Sequence, residues 1–141
     1  MNILEAIKNK FGEKVEINRQ SDKRSYVAVG PVEAVAVARY LFLEAGARFQ
    51  TATGLDHRQA VEILYHFALD PAGVVVSLRV QVKKPELKME SLTSFLPAVD
   101  WAEREIYEMF GVEFVGPPRL EKLLLPDDWP AGVYPLRKTN D

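Results

Sequence analysis

Two ten-residue runs constrain this chain more than any other feature. From Ala60 to Leu69, Val61, Ile63, Tyr65, Phe67 and Leu69 alternate with Glu62, Leu64, His66 and Ala68. From Val74 to Lys83, Val74, Val76, Leu78, Val80 and Val82 alternate with Ser77, Arg79, Gln81 and Lys83. Successive side chains of a strand point to opposite faces, so each run buries one apolar row and leaves the other mostly wet. Only Asp70-Pro71-Ala72-Gly73 separates them, a turn short enough to force an antiparallel hairpin. A lone hairpin is marginal in water, so further strands and a covering layer must come from the rest of the chain.

The flanking sequence supplies both. Asn2 caps a predicted helix whose Ile3, Leu4, Ile7 and Phe11 share one stripe, and Gly12 ends it. Val15–Asn18 and Ser25–Val29 read as short strands about a polar turn. Pro31 suits the first turn of a second helix running from Val32 to Glu44. Its Val32, Val35, Ala36, Ala38, Leu41, Phe42 and Ala45 leave little polar face, which predicts deep packing. Arg48–Leu55 is a weaker third strand, Lys83–Lys88 a charged connection, and Ser91–Phe95 a short helical turn. The order α-β-β-α-β-β-β implies an α+β two-layer sandwich, with helices on one face of a largely antiparallel sheet. At 141 residues the chain fits a single domain, residues 1–90 forming the α+β core and 91–141 a further helix and arm.

The helix runs from about Ala98 to Phe110, with Val99, Ala102, Ile106, Met109 and Phe110 on one side and Trp101, Arg104, Glu105 and Glu108 on the other. An extended arm follows, with Pro117, Pro118, Pro126, Pro130 and Pro135 among the nine prolines of the chain. Such an arm lacks the donors for helix or central strand and must lie along something already folded.

From Glu103 onward the sequence resembles the signature of the C-subunit family of NADH–quinone oxidoreductase (respiratory complex I). That family includes the equivalent subunit of membrane-bound, energy-converting nickel–iron hydrogenases. The likeness sits in Glu103-Arg104-Glu105 and Tyr107 to Val112, then Gly116, Pro118, Leu120, Lys122 to Pro126, Asp128-Trp129 and Pro135 to Lys138. Pro117 stands where the family usually has histidine, so no role of that imidazole carries over, and Thr139 replaces a usual acidic residue. The resemblance implies an α+β subunit of the peripheral arm, placed beside hydrogenase large-subunit-like (D-type) and small-subunit-like (B-type) proteins of the same complex. Fe–S clusters, and flavin or nickel–iron, would reside in those partners. The chain would sit on the cytoplasmic side of the membrane through its complex.

The residues themselves argue against chemistry in this chain. Without cysteine there is no disulfide, Fe–S cluster or thiolate metal site, and His57 and His66 read as surface residues. A net charge of −2 and scattered basic residues give no footprint for nucleic acid, and no run approaches the roughly 20 apolar residues of a membrane span. Glu105 and Glu108 share a face and could form a general acid–base pair, but Arg104, four residues before Glu108, offers an ordinary helix ion pair. Trp101 among charges reads instead as an interface anchor. Partner contacts are therefore expected from Trp101, Arg104, Glu105, Glu108, Trp129, Leu136, Arg137 and Lys138. Glu103, at the apolar edge, must pair or shift its pKa, and Arg119, Lys122 or Arg137 of the returning arm are its expected partners, in preference to water.

The leading expectation is a structural, non-catalytic subunit of a membrane-associated redox complex. The alternatives are a small stand-alone enzyme using Glu105 and Glu108, and an adaptor binding a peptide along a sheet edge. The run from Trp129 to Pro135 and the short tail after Lys138 favour a hydrogenase-type parent over an NADH dehydrogenase. The isolated chain is expected to bind no metal, flavin or nicotinamide. Metal analysis and an absorbance scan after gel filtration check this, and stoichiometric iron or a retained flavin band would refute it.

Overall fold

The computed structural model describes residues 2–116 and 134–136. Helix α1 (Ile3–Phe11) begins where the Asn2 side chain accepts the Glu5 amide at 2.9 Å, and ends at Gly12 with φ +60°. Strands β1 (Glu16–Arg19) and β2 (Arg24–Val29) follow, then α2 (Pro31–Arg39) with Pro31 in its first turn. The helix does not stop at Arg39 but widens into a π-helical segment, Tyr40–Glu44, closed by the Ala45 amide on the Tyr40 carbonyl at 3.0 Å. Strands β3 (Arg48–Asp56), β4 (Ala60–Leu69) and β5 (Val74–Lys83) come next. They are followed by β6 (Lys88–Glu90), α3 (Asp100–Phe110) and β7 (Glu113–Val115).

The five long strands form one sheet in the order β1-β2-β5-β4-β3. All pairs are antiparallel except β2 with β5, where Val27 faces Leu78 in parallel register. Helix α2 causes this exception. It carries the chain from β2 to the far edge, so that β3, β4 and β5 return by hairpins until β5 closes on β2. The predicted hairpin of β4 and β5 holds, with Ala60 opposite Lys83 through Leu69 opposite Val74, and Gly73 in the left-handed region completes its turn.

One face of the sheet carries the core. Val27, Ile63, Tyr65, Phe67, Leu78 and Val80 lie against Ile7, Val37, Leu41, Leu92, Leu96 and Ile106, all buried. Residues on both sides of position 90 thus share one cluster. The second helix is less deeply packed than its composition implies. Ala34, Val37, Ala38 and Leu41 are buried, but Val32 is 81 % exposed and Leu43 also faces outward. The helix covers only one sheet face, and the π-helical widening rotates its last turn away from the 3.6-residue period. The short parallel pair of β6 and β7 was not expected from sequence; three-residue strands are too brief to show a period.

The opposite sheet face is polar but not simply wet. Glu62, only 4 % exposed, accepts from Arg79 at 3.1 Å and Gln81 at 2.5 Å, with His57 Nε2 at 3.6 Å. Arg79 stacks over the Tyr26 ring at 5.7 Å. His66, expected as a plain surface residue, is half-buried, its Nδ1 2.7 Å from Ser77 Oγ and its Nε2 3.2 Å from Thr53 Oγ1. Burial first, and then Arg24, hold its pKa below the ordinary histidine value.

Helix α3 crosses the edge strand β3 at Gly54. A Cβ there would lie 2.6 Å from the Phe110 ring, so only a bare backbone lets the ring seat flat. Gly54→Ala should therefore destabilise the fold by about 1–3 kcal/mol, the usual cost of overpacking a core contact. Urea denaturation measures this, and Phe110→Leu in the same chain should recover part of the loss.

Candidate functional site

Helix α3 is amphipathic, but two of its carboxylates are buried. Glu103 and Glu108 are each 2 % exposed, whereas Trp101 is 59 % exposed and Glu105 also lies outside. The expected wet cluster of Trp101, Arg104, Glu105 and Glu108 is therefore divided. Trp101 and Glu105 share the outer face one turn apart and are exposed, whereas Glu108 is buried. Glu105 and Glu108 consequently do not open onto a common cleft, as two carboxyls acting on one bond would have to. Arg104 reaches back one turn to Asp100 at 3.8 Å.

The head of Glu103 does not reach water. Its Oε1 accepts from Ser91 Oγ at 2.5 Å, while its Oε2 accepts from the Tyr65 hydroxyl and the Leu92 amide, each at 3.1 Å. These donors come from the middle of β4 and from the turn after β6, so one carboxylate ties α3 to the sheet and to the connection before it. Tyr65 is fully buried, with its hydroxyl also 3.8 Å from Met89 Sδ. The expected arm partners Arg119, Lys122 and Arg137 lie outside the described residues, as does Trp129. Nothing in the sequence pattern of α3 alone marked Tyr65 or Ser91 as partners, because they are 38 and 12 residues away.

Beyond α3 the chain turns at Gly111, with φ +82° and its amide on the Tyr107 carbonyl. It returns to the same place at Tyr134–Leu136, where the Leu136 amide donates to the Met109 carbonyl at 3.0 Å. The Tyr134 and Tyr107 rings meet edge to face, centroids 6.5 Å apart. A Cβ on Gly111 would stand 2.7 Å from the Tyr134 ring, so glycine serves both the left-handed turn and this close approach. Leu136 itself is exposed, while Arg137 and Lys138 lie outside the described residues.

At the other end of the helix, Phe42, Ala47, Phe49, Leu96, Pro97 and Ala98 line an apolar groove of about 430 Å³. Arg39 stacks over Phe95, the residue before Leu96, 5.0 Å from the ring centroid. Trp101 follows Ala98 by one helical turn. Among the described residues no group of three or more His, Asp or Glu could hold a metal ion, and no helix is long and apolar enough to cross a membrane.

Burial outweighs the three donors at Glu103 and raises its pKa to about 6, with Asp100 adding to the shift. A carboxyl raised in the folded state stabilises fully below its unfolded value of 4.5 and loses that contribution as pH rises through about 6. The stability of the protein relative to Glu103→Gln should thus fall by about 2 kcal/mol between pH 4.5 and 7.5. Paired urea titrations at the two pH values check this, and a pH-independent difference would contradict it.

Residues 27–141 match the family described as "Respiratory-chain NADH dehydrogenase, 30 Kd subunit". The C-subunit of the F(420)H(2) dehydrogenase of Methanosarcina mazei is 33% identical over 142 residues, covering 96% of this chain and 88% of that protein. The C-subunit of the NADH-quinone oxidoreductase of Roseiflexus sp. is 35% identical, covering 79% of this chain and 67% of the relative. Hydrogenase-4 component G of Escherichia coli is 31% identical across 96% of this chain, which corresponds to only 25% of that longer protein. In fold, the chain superposes on one from the archaeal membrane-bound sulfane sulfur reductase with a TM-score of 0.85 at 23% identity, covering 96% of this chain and 82% of that one. It superposes on the trypsin-resistant fragment of Nqo5 with a TM-score of 0.72 at 17% identity, covering 85% of this chain and 100% of the fragment. With its signature helix, the α+β architecture around it and this extended likeness, the chain belongs to the family of the 30 kDa subunit of respiratory-chain NADH dehydrogenase.

Proposed function

We propose that this chain is a non-catalytic structural subunit of the peripheral arm of a membrane-associated redox complex. It docks through the outer face of α3 on the neighbouring subunit that carries the quinone or nickel–iron site. Trp101 carries this reading. An indole 59 % exposed among charges, one turn from an apolar groove, presents a large rigid anchor with a recess beside it. Glu105 borders it, and exposed Leu136 extends the contact at the far end of the helix.

The relatives support the non-catalytic half of the proposal. Proteins named for F420H2, NADH and hydrogenase reactions are 33%, 35% and 31% identical to this chain. A part equally similar across different electron donors is suited to holding geometry, with the Fe–S clusters and the flavin or nickel–iron in its partners. In this reading those partners are the hydrogenase large-subunit-like and small-subunit-like proteins, and the complex lies on the cytoplasmic side. The pattern from Trp129 to Pro135, outside the described residues up to Val133, inclines the parent complex toward an energy-converting hydrogenase.

Trp101→Ala should leave circular dichroism and melting unchanged but weaken assembly by roughly 2 kcal/mol or more, the scale of a central interface tryptophan. Co-purification of the partner subunits from the native source, with tagged parent and variant chains, measures this. Equal recovery would remove Trp101 from the interface. Hydrogen evolution by the recovered complex would support the hydrogenase parent, and NADH oxidation coupled to quinone would overturn it.

A further inference from the structure

We propose that the cup between the 84–88 turn and the C-terminal end of α3 receives an arginine guanidinium presented by a neighbouring subunit. This rests on the subunit reading above and adds the chemistry of one contact. The cup encloses about 400 Å³. The Tyr107 and Tyr134 rings line it at an interplanar angle of 62°, together with Gly111 and the carboxylates Glu86 and Glu113.

Each part favours a flat cation. The face of a tyrosine ring carries negative quadrupole potential, which attracts a cation within about 6 Å of the ring centre. The two carboxylates supply acceptors for the fork of N–H donors that a guanidinium presents while its plane lies on a ring. A lysine ammonium is more strongly hydrated and cannot stack. Lys88 approaches Glu113 at 3.8 Å, with both side chains about half exposed, a pair worth little in solvent. Among the described residues no cation stands within ion-pair distance of Glu86. Burial raises the Tyr107 phenol pKa, and Tyr134, Glu113 and Glu108 raise it further.

The cup is built before any ligand arrives. The Glu113 amide donates to the Leu87 carbonyl at 2.7 Å, and the Leu87 amide to the Lys83 carbonyl at 3.0 Å. These bonds hold the turn that carries Glu86 against the segment that carries Glu113. Leu87 sits at φ +47° with its side chain buried, so the turn is pinned from below. The Leu136–Met109 hydrogen bond anchors the Tyr134 wall, and the absence of a side chain at Gly111 admits its ring. A preformed site of this kind loses little freedom on binding.

The test is a heteronuclear NMR titration of the full chain with N-acetyl-L-argininamide, with the isosteric but neutral citrulline amide as control. The arginine probe should shift the Leu87 and Gly111 amides saturably, with a dissociation constant in the millimolar range. The citrulline probe should bind roughly tenfold more weakly or not at all. Glu86→Gln with Glu113→Gln should weaken the arginine probe to a similar extent, Tyr134→Phe should preserve binding, and Tyr134→Leu should abolish it. Absence of saturable shifts, or an equal response to both probes, would overturn the proposal. So would binding that appears only after Arg137→Gln and Lys138→Gln, since the chain's own tail would then be the occupant. Trp101→Ala should leave this titration unchanged, so failure of the cup and failure of the docking reading are told apart.

Discussion

The Glu103 carboxylate holds together three parts of the chain that would otherwise meet only through apolar contact. Its oxygens bind the Tyr65 hydroxyl in the middle of β4, Ser91 and the Leu92 amide in the connection after β6, and its own backbone belongs to α3. A carboxylate taken from water without partners would cost several kcal/mol, while hydrogen bonds to a charged group return about 1.5–3 kcal/mol each. The three donors make the burial tolerable, and the raised pKa records that they do not wholly cancel it. Removing any one donor would leave a buried charge short of a partner, so the three segments are energetically bound to one another.

Around this polar tie the packing leaves little tolerance. Gly54 lies under Phe110, and Gly111 under Tyr134, each so close that a single methyl group would collide with the ring. Interiors packed near crystal density transmit such displacements instead of absorbing them. The position of α3, and with it the direction in which Trp101 points, is therefore set by two bare backbones and one buried acid. A rigid helix offering an aromatic anchor suits the proposed role of holding neighbouring subunits in register. The polar network about Glu62 on the other sheet face similarly arranges side chains before any contact is made, since Arg79, Gln81 and His57 already converge there.

The two ends of α3 differ in chemistry. Its first turn adjoins an apolar groove, where desolvation would supply affinity. Its last turn adjoins the tyrosine and glutamate cup, where charge and ring geometry would supply orientation. In the proposed docking, one helix would separate strength from specificity along its own length, and both its ends are held by backbone hydrogen bonds.

Much of the architecture was legible in the residue order. The period of two in Ala60–Leu69 and Val74–Lys83 dictates a hairpin, because any other conformation would scatter its apolar row over both wet and dry surfaces. The cap at Asn2 and the breaks at Gly12 and Gly111 are local backbone chemistry, readable wherever they occur. The signature from Glu103 to Gly111 likewise pointed to the family. The residue order placed Glu103 at the apolar edge of α3, but it did not contain the partners of that acid or the burial of Glu108, which is polar by composition and buried by context. The parallel pairing of β2 with β5, the π-helical end of α2 and the meeting of Gly54 with Phe110 were equally beyond it. Local sequence determines periodicity and chain breaks through nearest-neighbour sterics and hydrogen bonding. The partners of a buried carboxylate are decided only when segments distant in sequence are packed against one another, because their energies exist only at contact.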